Sequence, residues 1–139
     1  MIEEKIPLGL KEHGTGSPFR VLVTDDSIFI AKQLGQILTS EKFEVAGTMV
    51  NGEQAVESYK EMSPDIDLVT LDITMPVMDG VTALEKIIAF DPQAKVIMVS
   101  ALGKEDVVKK CLQMGAKSYI LKPLNREKVL ERIKAVLDI

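Results

Sequence analysis

The sequence predicts an α/β fold, a doubly wound five-stranded parallel sheet with five helices. Three observations predict it. Short β-branched runs alternate five times with apolar residues at helical spacing over residues 19–139. Strands that alternate with helices pair in parallel and are covered on both faces. Five strands are too few to close an eight-stranded barrel, so the sheet stays open. Finally, 139 residues with 46% apolar and 27% charged side chains supply one ordinary core.

Residues 1–18 stand apart. They carry Pro7, Gly9, Gly14, Gly16, Pro18 and the single histidine, His13, with no apolar period. This segment is expected to be a flexible or loosely docked extension, or a short strand or partner-binding arm over 6–10. Residues 19–24 (FRVLVT) form the first strand. Ile30, Leu34, Ile37 and Leu38 recur at helical spacing. Residues 43–50 alternate in part, as an edge strand does. Asn51 caps a helix with Ala55, Val56, Tyr59 and Met62 inward. Residues 68–71 are the third strand. Asp79 caps the next helix, which turns Leu84, Ile87 and Ile88 to the core. Residues 96–99 are the fourth strand, followed by a helix over 104–114 that stops at Gly115. Residues 119–121 are the fifth strand. Asn125 caps a last helix with Val129, Leu130, Ile133, Val136 and Leu137 inward.

Charge and composition exclude several functions. Lys plus Arg is 17 and Asp plus Glu is 21, so the net charge is 17 − 21 = −4. No basic cluster is present, which argues against nucleic acid as a ligand. One cysteine, Cys111, permits no intrachain disulfide and argues against a Cys-based zinc site. No apolar run approaches the ~20 residues of a membrane span, and no signal-peptide pattern opens the chain. The expected location is cytoplasmic.

In an open parallel sheet the ligand lies beyond the carboxyl ends of the strands, where the strand order switches. Asp25 and Asp26 follow the first strand, Asp72 the third, Ser100 the fourth and Lys122, before Pro123, the fifth. Taken singly, these residues read equally well as helix caps, turn carboxylates or turn residues. Jointly they gather three carboxylates, a hydroxyl and an ammonium at one edge. Three carboxylates in proximity raise one another's pKa. A hard dication relieves that repulsion, and Mg²⁺ is commonly held by one or two carboxylates plus a phosphate. An Asp carboxylate is also a competent nucleophile toward phosphorus. Phosphoryl transfer mostly needs positioning and charge neutralisation.

Asp25-Asp26, the stretch Asp72-Ile73-Thr74-Met75-Pro76-Val77-Met78-Asp79-Gly80, Ser100-Ala101 and Tyr119-Ile120-Leu121-Lys122-Pro123 occur in that order. Together they resemble the receiver domain of bacterial two-component response regulators. The resemblance covers residues 19–139 and implies a flavodoxin-like sheet of order 2-1-3-4-5, the order for which the family is known. It implies that Asp72 is the phosphoacceptor. Asp26 and Asp72 would bind Mg²⁺ through their carboxylates, Asp25 through water and Thr74 through its backbone carbonyl. Ser100 would hydrogen-bond a phosphoryl oxygen. Lys122 would pair with the phosphoryl group, next to a cis bond to Pro123. Tyr119 would be the switch aromatic, swinging inward as Ser100 moves. That changes the face made by the fourth helix, fifth strand and fifth helix. With no output domain following, the chain is expected to be a single-domain chemotaxis regulator and a monomer. Its expected partners are a CheA-like histidine kinase, a flagellar motor switch protein and a dedicated phosphatase. It is expected not to be an enzyme beyond its own phosphorylation and dephosphorylation. Leu102, two residues after Ser100, is apolar and is expected to slow dephosphorylation by limiting water.

Three other readings fit less well. A Mg²⁺-dependent phosphatase with an aspartyl intermediate usually has a second acid two residues after the nucleophile, where this chain has Thr74. A flavin-binding protein needs a phosphate-cradling loop after the first strand, where Asp25-Asp26 would repel the phosphate. A pure interaction module leaves the acidic cluster and Lys122 without a purpose.

Overall fold

A computed structural model describes residues 6–139. Its strands are β1 (Arg20–Thr24), β2 (Glu44–Met49), β3 (Leu68–Asp72), β4 (Val96–Ser100) and β5 (Ser118–Leu121). They form one sheet of order β2-β1-β3-β4-β5 with every pairing parallel. The helices are α1 (Lys11–Gly14), α2 (Ile28–Ser40), α3 (Gly52–Met62), α4 (Gly80–Phe90), α5 (Glu105–Met114) and α6 (Arg126–Leu137). The expected sheet and its implied order are therefore both present. Among the described residues the helices number six rather than five, because a four-residue turn, α1, precedes the repeat. Glu12 and His13 within it have φ of 55°, the left-handed region, which no apolar period announces. The expected face of fourth helix, fifth strand and fifth helix is thus α5, β5 and α6.

Alternation along each strand divides the core between two faces. Leu22, Val69, Leu71, Val96 and Met98 point to one side and meet α3, α4 and α5 through Ala55, Leu84, Ile87, Val108 and Cys111. Val21, Val23, Leu68, Ile97 and Val99 point to the other and meet α2 and α6 through Leu34, Leu38, Val129 and Ile133. β3 and β4 are buried along their whole length, as a doubly covered parallel sheet requires.

Four helices begin on a side-chain cap. Ser27, Asn51, Asp79 and Asn125 accept from the backbone N–H of Ile30, Gln54, Thr82 and Lys128, each cap contributing about 1 kcal/mol. Asn51, Asp79 and Asn125 were legible as caps. Ser27 was not, because the two acids before it are equally good candidates. α5 has no side-chain cap and instead carries Glu105 and Asp106 in its first turn, which the helix dipole favours.

Residues 8–18, expected as a flexible or loosely docked extension, carry specific bonds to the domain. Residues 1–5 of that extension lie outside the described residues. Gly9 donates its N–H to the Glu41 carbonyl at 2.7 Å, and Phe19 donates to the Gly9 carbonyl at 2.7 Å. Leu8 N–H donates to the Glu41 carboxylate at 3.2 Å, and Lys11 pairs with Asp67 at 3.3 Å. A Cβ on Gly9 would sit on the backbone of Glu41 and Phe43. Gly9→Val is expected to lower stability by about 1–3 kcal/mol, the usual cost of overpacking, read as an earlier urea midpoint. An unchanged midpoint would mean the segment adds nothing to stability.

Candidate functional site

The strand order brings the site together. β1 lies between β2 and β3, so the chain leaves β1 toward one edge of the sheet and returns on the other side. A crevice opens there, at the carboxyl ends. Register sets the depth of each residue: Thr24 pairs with Leu71, Asp72 with Val99 and Ser100 with Leu121. Asp72 and Ser100 are the last residues of β3 and β4, not loop residues. Asp25 and Lys122 lie one position beyond β1 and β5, yet stay on the ladder. Asp25 N–H donates to the Met49 carbonyl at 3.0 Å and Lys122 N–H to the Ser100 carbonyl at 2.8 Å. Both functional side chains therefore start from fixed backbone.

The three acids converge, with one carboxylate oxygen of Asp25, Asp26 and Asp72 lying within 4.8 Å of the others. They are not equivalent. Asp25 is 3% and Asp72 6% exposed, while Asp26 is exposed. The Lys122 ammonium bridges the two buried acids, 3.2 Å from Asp25 Oδ2 and 3.3 Å from Asp72 Oδ1. Asp25 Oδ1 accepts from the Ser27 N–H at 2.9 Å. Its Oδ2 is buried without a hydrogen-bond donor in line with it and faces the lysine charge. A buried, incompletely satisfied carboxylate oxygen beside two further carboxylates is a donor set that fits a hard divalent cation.

Electrostatics agrees with that geometry. Burial, and then the Asp25 charge, push the Asp72 carboxyl up to about 6 against the opposing pull of Lys122. Burial alone would lower the Lys122 ammonium, but Asp72 and Asp25 outweigh it and hold the pKa above its ordinary value. Asp72 is thus a carboxylate kept under strain by its neighbours, and a cation that offsets its charge would favour the ionised, nucleophilic form.

Other residues at the rim fall where the sequence put them. Ser100 is 1% exposed and donates its hydroxyl to the Ala101 carbonyl at 2.8 Å. Lys122–Pro123 is cis, as the resemblance implied, and so is Ser63–Pro64, which nothing in the sequence announced. Thr74 is exposed on the loop after Asp72. Tyr119 is half-buried on β5.

Two backbone devices that set the loop after Asp72 escaped the sequence reading. Gly80 N–H donates to the Ile73 carbonyl and Gly52 N–H to the Met78 carbonyl, both at 2.8 Å. A Cβ on Gly80 would sit on the Asp72 carbonyl oxygen. The available signal was a glycine placed directly after the cap Asp79. Val77, in the same loop, has φ of 67° and is exposed. That conformation is costly for a β-branched residue.

An acidic crevice at the switch of a 2-1-3-4-5 sheet, crossed by one lysine, defines a class, and the chain belongs to it. The response regulator receiver domain family matches residues 21–134. Several relatives within that family are chemotaxis proteins. The chain is 63% identical to chemotaxis protein CheY of Treponema pallidum, covering 98% of this chain and 93% of that one. It is 49% identical to chemotaxis protein CheY of Bacillus subtilis, over 86% of this chain and 98% of that one. The crystal structure of the CheX–CheY–BeF3–Mg²⁺ complex from Borrelia burgdorferi matches it with a TM-score of 0.90 at 56% identity. That match covers 95% of this chain and 98% of the solved one. The protein is a CheY-like receiver of two-component signalling. No helix among the described residues is long and apolar enough to cross a membrane.

Proposed function

We propose that this protein is a cytoplasmic, phosphorylation-activated chemotaxis switch that accepts a phosphoryl group on Asp72 from a CheA-like histidine kinase. The observation that carries this is the Lys122 ammonium shared between buried Asp25 and Asp72 within a three-carboxylate cluster. A carboxylate of Asp72 attacks the phosphorus of a phosphohistidine. The phosphorus–nitrogen bond breaks, the leaving imidazole nitrogen takes a proton from solvent water, and an aspartyl phosphate remains. Mg²⁺ held by Asp26, Asp72 and the Thr74 carbonyl, with Asp25 through water, would supply neutralisation of the phosphoryl oxygens. Lys122 pairs with the new phosphoryl group. Ser100 gives up its bond to the Ala101 carbonyl and donates to a phosphoryl oxygen instead. Tyr119 follows inward, and the α5–β5–α6 face binds a flagellar motor switch protein more tightly. The similar Borrelia chain, solved with CheX, BeF3 and Mg²⁺, supports a metal at this site and a second protein beside it. We assign that second role to a CheY phosphatase. The protein is a monomer whose chemistry is confined to its own phosphorylation and dephosphorylation.

Affinity for a flagellar motor switch protein, measured with and without acetyl phosphate and Mg²⁺, tests the switch. Tighter binding of the phosphorylated form is expected. Equal affinity would end the switch account even with Asp72 modified, since a ligand shifts an equilibrium only by its differential affinity.

Mg²⁺ should also stabilise the fold, and more at pH 7.5 than at pH 5. The folded Asp72 carboxyl keeps its proton up to about 6, above its ordinary 3.8. Its contribution to stability is full below the lower value and is lost as pH rises through the upper one. Above pH 6 the repulsion is fully present and a dication has most to relieve. Thermal unfolding with and without Mg²⁺ at the two pH values reads this directly. An equal shift at both would remove Asp72 from the ion's site.

Leu102 is 70% exposed at the site's rim. Leu102→Glu is expected to shorten the lifetime of the aspartyl phosphate several-fold by admitting and orienting water. A lifetime equal to the wild type's would show that Leu102 does not limit water.

A further inference from the structure

We propose that Arg132 is a latch on the Tyr119 ring in the unphosphorylated protein, a positioning residue that holds the ring in its half-buried place. The Arg132 guanidinium carbon lies 4.9 Å from the Tyr119 ring centroid, within the range of a cation–π contact. Tyr119 stands between two depressions. On one side is a cavity of about 250 Å³ lined also by Ser100, Val108 and Leu112. On the other is the groove that holds Arg132 and Lys128. The ring therefore adjoins open space next to Ser100 and is also in contact with a cation. Ser100 meanwhile is turned to its own loop, bonded to the Ala101 carbonyl.

The guanidinium is committed to this ring. Among the described residues no carboxylate forms an ion pair with Arg132, although Glu131 precedes it on α6. A contact made in one ring position and not in the other biases the equilibrium between them by its full worth. An exposed cation–π contact is worth roughly a two- to five-fold ratio. Removing it shifts the resting protein toward the inward ring by that factor without any phosphoryl group. The inference rests on the reading of Tyr119 as the switch, and its test separates the two.

The composition supplies the probe. The chain has no tryptophan and two tyrosines. The other, Tyr59, is buried, with its hydroxyl donating to Asp91 at 2.6 Å. Acrylamide quenching of tyrosine fluorescence therefore reports on Tyr119. In the unphosphorylated protein, Arg132→Gln is expected to lower the quenching, as the ring withdraws into the cavity. Arg132→Lys, which keeps a cation, should stay at the wild-type value. Loss of cover without ring movement predicts the opposite sign, so quenching that rises or stays level in Arg132→Gln overturns the latch. Wild type treated with acetyl phosphate and Mg²⁺ is the parallel control. If its quenching does not fall, the switch role of Tyr119 fails, while the two resting variants still decide whether Arg132 holds the ring.

Discussion

Asp72→Asn should gain no phosphoryl group from acetyl phosphate and Mg²⁺, while the wild type gains one by intact mass. Asparagine keeps the shape and much of the hydrogen bonding but has no nucleophilic carboxylate. The same substitution is expected to raise stability in metal-free buffer at pH 7.5. It removes a buried charge that burial and then Asp25 oppose, the carboxyl being pushed up to about 6 from 3.8. That shift corresponds to at most about 3 kcal/mol. Loss of the Lys122 contact at 3.3 Å offsets part of the gain. The pairing of lost chemistry with a later urea midpoint is the signature of a carboxylate held for function at the expense of the fold. A variant that still gains a phosphoryl group would move the acceptor to Asp25 or Asp26. A variant that unfolds earlier would show that Asp72 is held for its bonds.

Gly80→Ala should damage both fold and chemistry. The added Cβ would meet the Asp72 carbonyl oxygen and the adjoining Ile73 backbone, neither of which can swing aside as a side chain can. Something in the end of β3 or the start of α4 must shift. Forced overpacking of this kind costs about 1–3 kcal/mol. The displaced atoms belong to the phosphoacceptor itself, so uptake from acetyl phosphate should slow by more than the lost stability explains. Uptake measured where the variant remains fully folded isolates that part. Wild-type uptake with wild-type stability would mean that the loop after Asp72 yields without moving the carboxylate.

Adjacent residues show how far the sequence carried. Asp25 and Asp26 looked alike, two acids after a strand. The fold buries Asp25 against Lys122 and leaves Asp26 exposed, because successive side chains leave an extended backbone in opposite directions. Sequence order alone does not say which of the two faces inward. Lys122 was legible as a cation at a strand end. That it reaches two carboxylates at once depends on the positions of three non-consecutive strands. Residues 8–18 show the limit most clearly. Their glycines and prolines carry no period, yet Gly9 packs onto the backbone of Glu41 and Phe43. A close approach of that kind appears in the sequence only as the absence of a side chain.

By itself the sequence determined the alternation of strands and helices, three of the four side-chain caps and the placement of Asp25, Asp26, Asp72, Ser100 and Lys122 at the carboxyl ends of strands. These properties depend on neighbours within a turn of helix or a strand's length. The tertiary structure decided which acid is buried against Lys122, that Gly9 packs onto the backbone of Glu41 and Phe43, and that Gly52 bonds the Met78 carbonyl. Each of those is a meeting of segments far apart in the chain, governed by the packing of the whole sheet and its helices. No window of local sequence contains both partners.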